Sequence, residues 1–251
     1  MENLSNELIG TSAVITELRQ ALKDIAASDA NIMITGESGS GKEFVINELM
    51  KLINKDYIFQ KINCSHLKND KNLFQKMIDE NAGALNNSTD AAEPVKKNKI
   101  LYLKKICDLD MELQKELIVI MDNFKKSAEN KSNCSHSIKN LRIISSSAKN
   151  IDYLTETGKF RSDLFYRLGM IKIELPPLRE RREDIPVLIE YFIDKFNKKH
   201  NKIVQKIDDS ALPVLMNYNY PGNILELENI IEYAVIISNS NEIKEIKLKN
   251  I

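Results

Sequence analysis

The sequence predicts an α/β fold, a parallel sheet flanked by helices and followed by a small all-helical domain. Three observations carry the prediction. Short apolar runs alternate with helical spacings up to about residue 175, a glycine-rich turn joins one such run to a helix, and beyond Pro176 and Pro177 only helical spacing remains. The expected division is residues 1–175 and 176–251.

The elements follow in order. "TSAVITELRQALKDIAA" spaces its apolar residues as a helix does, and "SDA" ends it. "NIMIT" is a short buried strand; after the glycine turn, "KEFVINELMKLI" reads as a helix. "YIFQKIN" and "KILYL" read as strands, "DMELQKELIVIMDNF" as a helix, and "LRIISSS" and "MIKIEL" as further strands. Between them, residues 81–99 are polar, small and aperiodic, and are expected to form an exposed loop. In the second part "VLIEYFIDKFNKK", "DDSALPVLMNYN" and "NILELENIIEYAVIIS" read as three helices.

Composition sets limits on function. With 251 residues, 43% of them hydrophobic, the chain can bury one good core and a smaller second one. Lys+Arg and Asp+Glu both number 36, so there is no bulk attraction to nucleic acid or to an anionic membrane. No apolar run approaches the ~20 residues of a membrane span, and "MENLSNELIG" lacks the regions of a signal peptide, so a cytoplasmic protein is expected. Three cysteines argue against a disulfide framework. "NCSH" occurs twice; Cys64, His66, Cys134 and His136 make a conceivable zinc set, but one residue between ligands is tighter than usual, and chance repetition is the simpler reading.

Gly36, Gly41 and Lys42 match G-x-x-x-x-G-K between a strand and a helix. Glycines let successive backbone N–H groups turn inward, the helix adds its positive end, and the Lys42 ammonium reaches the outer phosphates. The next residue in such loops is Ser or Thr, a magnesium ligand; here it is Glu43.

That departure carries a resemblance. "GESGSGKE" resembles the "GESGTGKE" of the AAA+ ATPase domain in bacterial enhancer-binding proteins, which remodel sigma-54 RNA polymerase. "LIGTS" (8–12), "INCSHL" (62–67), "GKFRSDLFYRL" (158–168), "LPPLRERREDIP" (175–186) and "NYPGNILELEN" (219–229) resemble further motifs of that domain, in its order. The resemblance implies a P-loop AAA+ nucleotide-binding domain over residues 1–175 and a helical lid domain over 176–251. It also implies that Gly36, Glu37, Ser38, Gly39, Ser40, Gly41, Lys42 and Glu43 contact ATP or ADP. Arg161 and Arg167 match arginines that reach into a ring neighbour's nucleotide site as arginine fingers. They fall in an unusual cluster: of only 7 arginines against 29 lysines, Arg161, Arg167, Arg179, Arg181 and Arg182 lie within 22 residues. For Arg179 to Arg182 a solvated basic face paired with Glu180, Glu183 and Asp184 is the competing reading.

The pattern then fails where chemistry is done. In the family the strand matching "ILYL" ends in Asp-Glu, holding magnesium and activating water; here stand Lys104 and Lys105. Two like charges about 4 Å apart repel by ~4 kcal/mol at an effective dielectric of 20. Ala148 falls on the family's sensor asparagine and Leu225 on its sensor arginine, and neither can supply the hydrogen bond. The sigma-54-gripping "GAFTGA" is reduced to "GALNNS" at 83–88, with Leu85 and Asn86 for the aromatic and threonine, which speaks against that contact. Asp108 and Asp110 lie too far along to replace the acids and are expected to begin the following helix.

The expectation is a pseudo-ATPase with no assigned metal ligand and no usual seat for magnesium. Two alternatives stay open: a conventional ATP-hydrolysing sigma-54 activator, and a regulatory subunit donating arginine fingers within a mixed ring. Expected partners are AAA+ ring subunits, copies of itself or an active relative. No DNA-binding helix-turn-helix is expected in this chain.

Overall fold

The computed structural model describes residues 8–53, 57–67, 97–129, 138–244 and 246. Five strands, β1 (Ile32–Thr35), β2 (Tyr57–Asn63), β3 (Lys97–Lys104), β4 (Ile138–Ser147) and β5 (Ile171–Glu174), form one parallel sheet in the order β2-β3-β4-β1-β5. The helices are α1 (Ala13–Ala27), α2 (Lys42–Leu52), α3 (Met111–Glu129), α4 (Ile151–Glu156), α5 (Ser162–Leu168), α6 (Asp184–His200), α7 (Leu212–Asn217) and α8 (Asn223–Ile237). This is the predicted α/β architecture with a helical C-terminal part. Within that part, a two-residue parallel pairing of β6 (Lys206–Ile207) with β7 (Glu242–Ile243) was not foreseen.

Strand β2 occupies the predicted residues. Strand β3 starts earlier than expected, so residues 97–99 of the anticipated loop are strand; residues 81–96 lie outside the described residues. The reason is pairing: Lys97 opposes Ile138 and Lys99 opposes Leu141, with an irregularity between, and ladder hydrogen bonds prevail over polar composition.

The described residues divide into two compact units. One holds Ser28–Thr35 and Asn54–Glu174, and so the whole five-stranded sheet. Its core packs Met33, Ile62, Leu101, Leu103 and Ile143 from one face of the sheet against α3, α4 and α5, through Leu113, Leu117, Ile151, Leu164 and Leu168. Strands covered this completely read as apolar runs, unbroken in "ILYL" and interrupted in "LRII" only by Arg142, which is itself buried.

The other unit gathers three separate stretches: residues up to Ala27, Gly36–Ile53 and everything from Leu175 onward. Helices α6 and α8 face each other through Leu188, Phe192, Phe196, Leu227, Ile231 and Val235. Asp184, fully buried at the start of α6, ties in the N-terminal stretch. Its carboxylate accepts from the amides of Thr11 (2.6 Å) and Ser12 (2.7 Å) and from the Ser12 hydroxyl (2.9 Å). Buried Arg181 lies 3.7 Å from the same carboxylate and donates to the Ser40 carbonyl. One acid–base pair thus fastens the approach to α1, the glycine turn and α6 together.

Candidate functional site

Within this unit the glycine turn, residues 36–41, links the end of β1 to the start of α2. Every carbonyl from Gly36 to Ser40 is engaged. Lys42 Nζ donates to Gly36 O (2.6 Å) and Glu37 O (2.7 Å), Asn223 Nδ2 to Ser38 O (3.0 Å), the Ile224 amide to Gly39 O (3.0 Å) and Arg181 to Ser40 O (2.5 Å). The Ser40 amide closes the turn onto Glu37 O (3.2 Å); a peptide whose carbonyl is held on one side turns its N–H to the other, which is the polarity an anion-binding nest needs. Two glycines are required by geometry. Gly41, the N-cap of α2, has φ 102°; Gly39 has φ 74°, and a Cβ there would sit 2.2 Å from the Gly222 carbonyl oxygen.

Glu37 is gripped from the C-terminal helices. Arg179 forks onto it at 2.7 and 3.0 Å, and Asn223 Nδ2 donates at 3.0 Å. These bonds, Arg179's first, hold the Glu37 carboxyl at about 2, below its ordinary 4.5. Glu43 lies in the first turn of α2, at its positive end.

Beside the loop lies a narrow apolar slot lined by Leu8, Ile9, Phe44, Tyr191 and Ile224, with about 10 Å³ of free volume. Ser40 and Arg181 also line it. Ser40 Oγ and Arg181 Nε are buried without a hydrogen-bond partner among the described residues, a condition that costs roughly 1–3 kcal/mol each. Burial also pushes the Arg181 guanidinium pKa down, partly offset by Asp184. Leu225 is 54% exposed, its Cβ 3.2 Å from where a Cβ on Gly39 would stand. No polar atom of that side chain overhangs the loop.

In the sheet unit, Lys104 ends β3, opposite Asn63 on β2 and Ser146 on β4; Ser146 in turn opposes Ile34 on β1. Strand alternation puts Lys104 on the face of Ile100 and Tyr102. Lys105 is exposed and left-handed (φ 57°, ψ 49°), turning the chain into a short 3-10 helix, Ile106–Asp108. Asp110 caps α3, its Oδ1 accepting from the Leu113 amide at 2.8 Å, as its position implied. Asp108 corrects the expectation: it belongs to the 3-10 turn, because its amide closes on Lys105 O at 2.9 Å, and its carboxylate is bound to Lys149 at 2.6 Å. Ala148 follows β4 and is exposed.

Cys64 is buried with its thiol pushed up to about 12 by desolvation, and His66 Nε2 lies 3.3 Å from Asn63 Nδ2. Cys134 and His136 lie outside the described residues, as does the "GALNNS" segment. Among the described residues no three His, Cys, Asp or Glu side chains are grouped to hold a metal.

Arg161 and Arg167 both sit at α5, a helix not foreseen from the sequence, and each is bound to an acid of its own chain. Arg161 forks onto Asp163 at 2.8 and 3.0 Å, while its amide donates to Gln114 Oε1 at 2.8 Å. Arg167 pairs with Asp122 of α3. Tyr166, next to Arg167 in the chain, and Met170 are 74% and 67% exposed. Arg167, Asp122, Lys125, Phe124 and Met170 line a cavity of about 560 Å³.

Sequence reasoning missed the slot and the grip on Glu37. Leu8, Tyr191 and Ile224 look like ordinary core positions. The concentration of arginine in a lysine-rich chain was the available signal for Arg179 and Arg181, and it pointed away from the solvated-face reading.

Comparison with known proteins agrees with this geometry. Residues 8–174 match the family model for the sigma-54 interaction domain, and residues 179–250 that for the AAA+ ATPase lid domain. The DNA-binding transcriptional activator HyfR of Escherichia coli (strain K12) is 34% identical over 241 residues, covering 94% of this chain and 36% of HyfR. The transcriptional regulatory protein ZraR of Salmonella typhimurium is 32% identical over 245 residues, covering 96% and 55%. The structure of NtrX from Brucella abortus in complex with ADP superimposes with a TM-score of 0.75 at 30% identity, over 96% of this chain and 54% of that one. The chain thus spans between about a third and just over half of these relatives' lengths. No helix among the described residues is long and apolar enough to cross a membrane.

Proposed function

Because the chain belongs to the sigma-54 interaction family of AAA+ domains, we propose that it serves transcription regulation as a nucleotide-binding member whose own hydrolytic step is impaired. Residues 1–175 act as the nucleotide-binding domain and 176–251 as its lid. The relative NtrX has been solved with ADP and with ATP, which supports a nucleotide as the ligand here.

The observation that carries the reading is the loop whose five carbonyls are all engaged. Its amides and the N-terminus of α2 receive phosphate oxygens, and Lys42 exchanges the Gly36 and Glu37 carbonyls for them. The base enters the slot beside Ser40 and Arg181, which must widen first, since it holds only about 10 Å³. Ser40 Oγ and Arg181 Nε then gain the partners they lack.

Hydrolysis is a different matter. Magnesium is not a fit at the end of β3: the strand ends in two lysines, Asp108 is committed to Lys149, and Asp110 caps a helix. With no carboxylate offered there, binding is insensitive to EDTA. ATP titration of wild type and Lys42→Ala, with and without EDTA, tests this together with phosphate release from wild type and the Lys104→Asp/Lys105→Glu pair. Steady turnover by wild type, lost in Lys42→Ala, would make the protein a conventional activator and end the pseudo-ATPase reading.

A second reading rests on α5. Arg161 and Arg167 stand at the two ends of α5, with exposed Tyr166 and Met170 near the second, a surface able to meet another ring subunit and donate guanidinium groups to its phosphates. Addition of this chain to an active enhancer-binding protein should change that protein's ATP turnover. An unchanged rate at every ratio removes this role.

A further inference from the structure

We infer that Asn223 and Arg179 are positioning residues for phosphate binding: reaching from the C-terminal helices, they hold the glycine loop in its anion-receiving form before any ligand arrives. The inference rests on the phosphate-binding reading above and deepens it.

Asn223 is fully buried, with its backbone left-handed at φ 57°. Its Oδ1 accepts from the Leu178 amide at 2.8 Å, so the amide group cannot flip. Nδ2 has two hydrogens, and both are directed at the loop: one at Ser38 O (3.0 Å), the other at Glu37 Oε2 (3.0 Å). Arg179 takes both oxygens of the same carboxylate. The next residue, Ile224, adds its amide to Gly39 O at 3.0 Å. Three consecutive loop residues are therefore fixed by donors more than 140 positions away in sequence.

The direction of these bonds matters. A peptide unit whose carbonyl is held on one side presents its N–H on the other, so the donor on Ser38 O orients the amide of Gly39, while the donor on Gly39 O fixes the peptide whose Ser40 amide closes the turn onto Glu37 O at 3.2 Å. A flexible glycine loop left alone loses this orientation and must recover it at the expense of binding energy. Neither side chain touches phosphate in this account. Each acts through the loop.

The test uses the full chain with two variants, Arg179→Gln and Asn223→Gly, the glycine keeping the left-handed backbone. Three probes are titrated calorimetrically: ATP, inorganic tripolyphosphate and adenosine. Expected is a loss of roughly three- to tenfold in affinity for ATP, the same factor for tripolyphosphate, and no change for adenosine. That pattern separates loop positioning from general loosening, which weakens adenosine too and overturns the inference. Wild-type affinity in the folded variants overturns it as well while leaving phosphate binding intact. A wild type that binds neither ATP nor tripolyphosphate removes both readings. Arg179 is partly exposed, so its variant carries the test if Asn223→Gly does not fold.

Discussion

Replacing Asp184 probes the fastening of the first helix, the glycine loop and α6 in a single change. Asp184→Ala removes three hydrogen bonds, to the Thr11 amide, the Ser12 amide and the Ser12 hydroxyl, at roughly 1 kcal/mol each. It also strips buried Arg181, 2% exposed, of its counter-charge. Breaking a buried pair from one side costs about 3–5 kcal/mol in all, a range that includes those bonds. Asp184→Asn keeps an oxygen for both amides, since both point to Oδ1, and its NH2 can donate to the Ser12 hydroxyl. Like alanine it leaves Arg181 without its counter-charge, but it keeps the amide bonds, so its cost should fall below alanine's by roughly 1 kcal/mol for each bond retained. Urea denaturation at neutral pH, compared at constant slope, measures both. An alanine variant within about 1 kcal/mol of wild type, or an asparagine variant as damaged as alanine, refutes the reasoning.

Three further outcomes follow from the same geometry. Glu37 has a folded pKa near 2 against an ordinary 4.5, so its contribution to stability is complete above about pH 4.5 and is lost as pH falls toward 2. The gap in unfolding free energy between wild type and Glu37→Gln should accordingly close over that acid window. Gly39→Ala puts a methyl 2.2 Å from Gly222 O at φ 74°, so the loop must move and drop the Ile224 amide; ATP affinity should fall at least ~10-fold, as read by titration. Lys105→Asn relieves a left-handed lysine and should raise stability by up to ~1 kcal/mol in the same urea assay.

Much of this fold could be read from the chain. The strands were legible because parallel strands covered on their faces are written as apolar runs, and the long helices because α3 and α6 bury one stripe each. The glycine turn was legible because Gly36 and Gly41 of its pattern hold backbone conformations that other residues resist. Less visible were α4 and α5, six and seven residues long, too short to establish a period. The placement of Asp108 was misjudged because a left-handed lysine at 105 delays the helix, and lysine gives no warning of a turn. The grip of Arg179 and Asn223 on Glu37 joins residues 142 and 186 positions apart, and one sequence carries no signal for such a pairing.

The backward-facing oxygens of the glycine loop also determine what it turns away. A bare cation seeks carbonyl lone pairs, and between Gly36 and Ser40 each such group already serves a donor, one of them a lysine. Selection by sign therefore lies in the course of the main chain, and exchanging the hydroxyls of Ser38 or Ser40 would leave it unaltered.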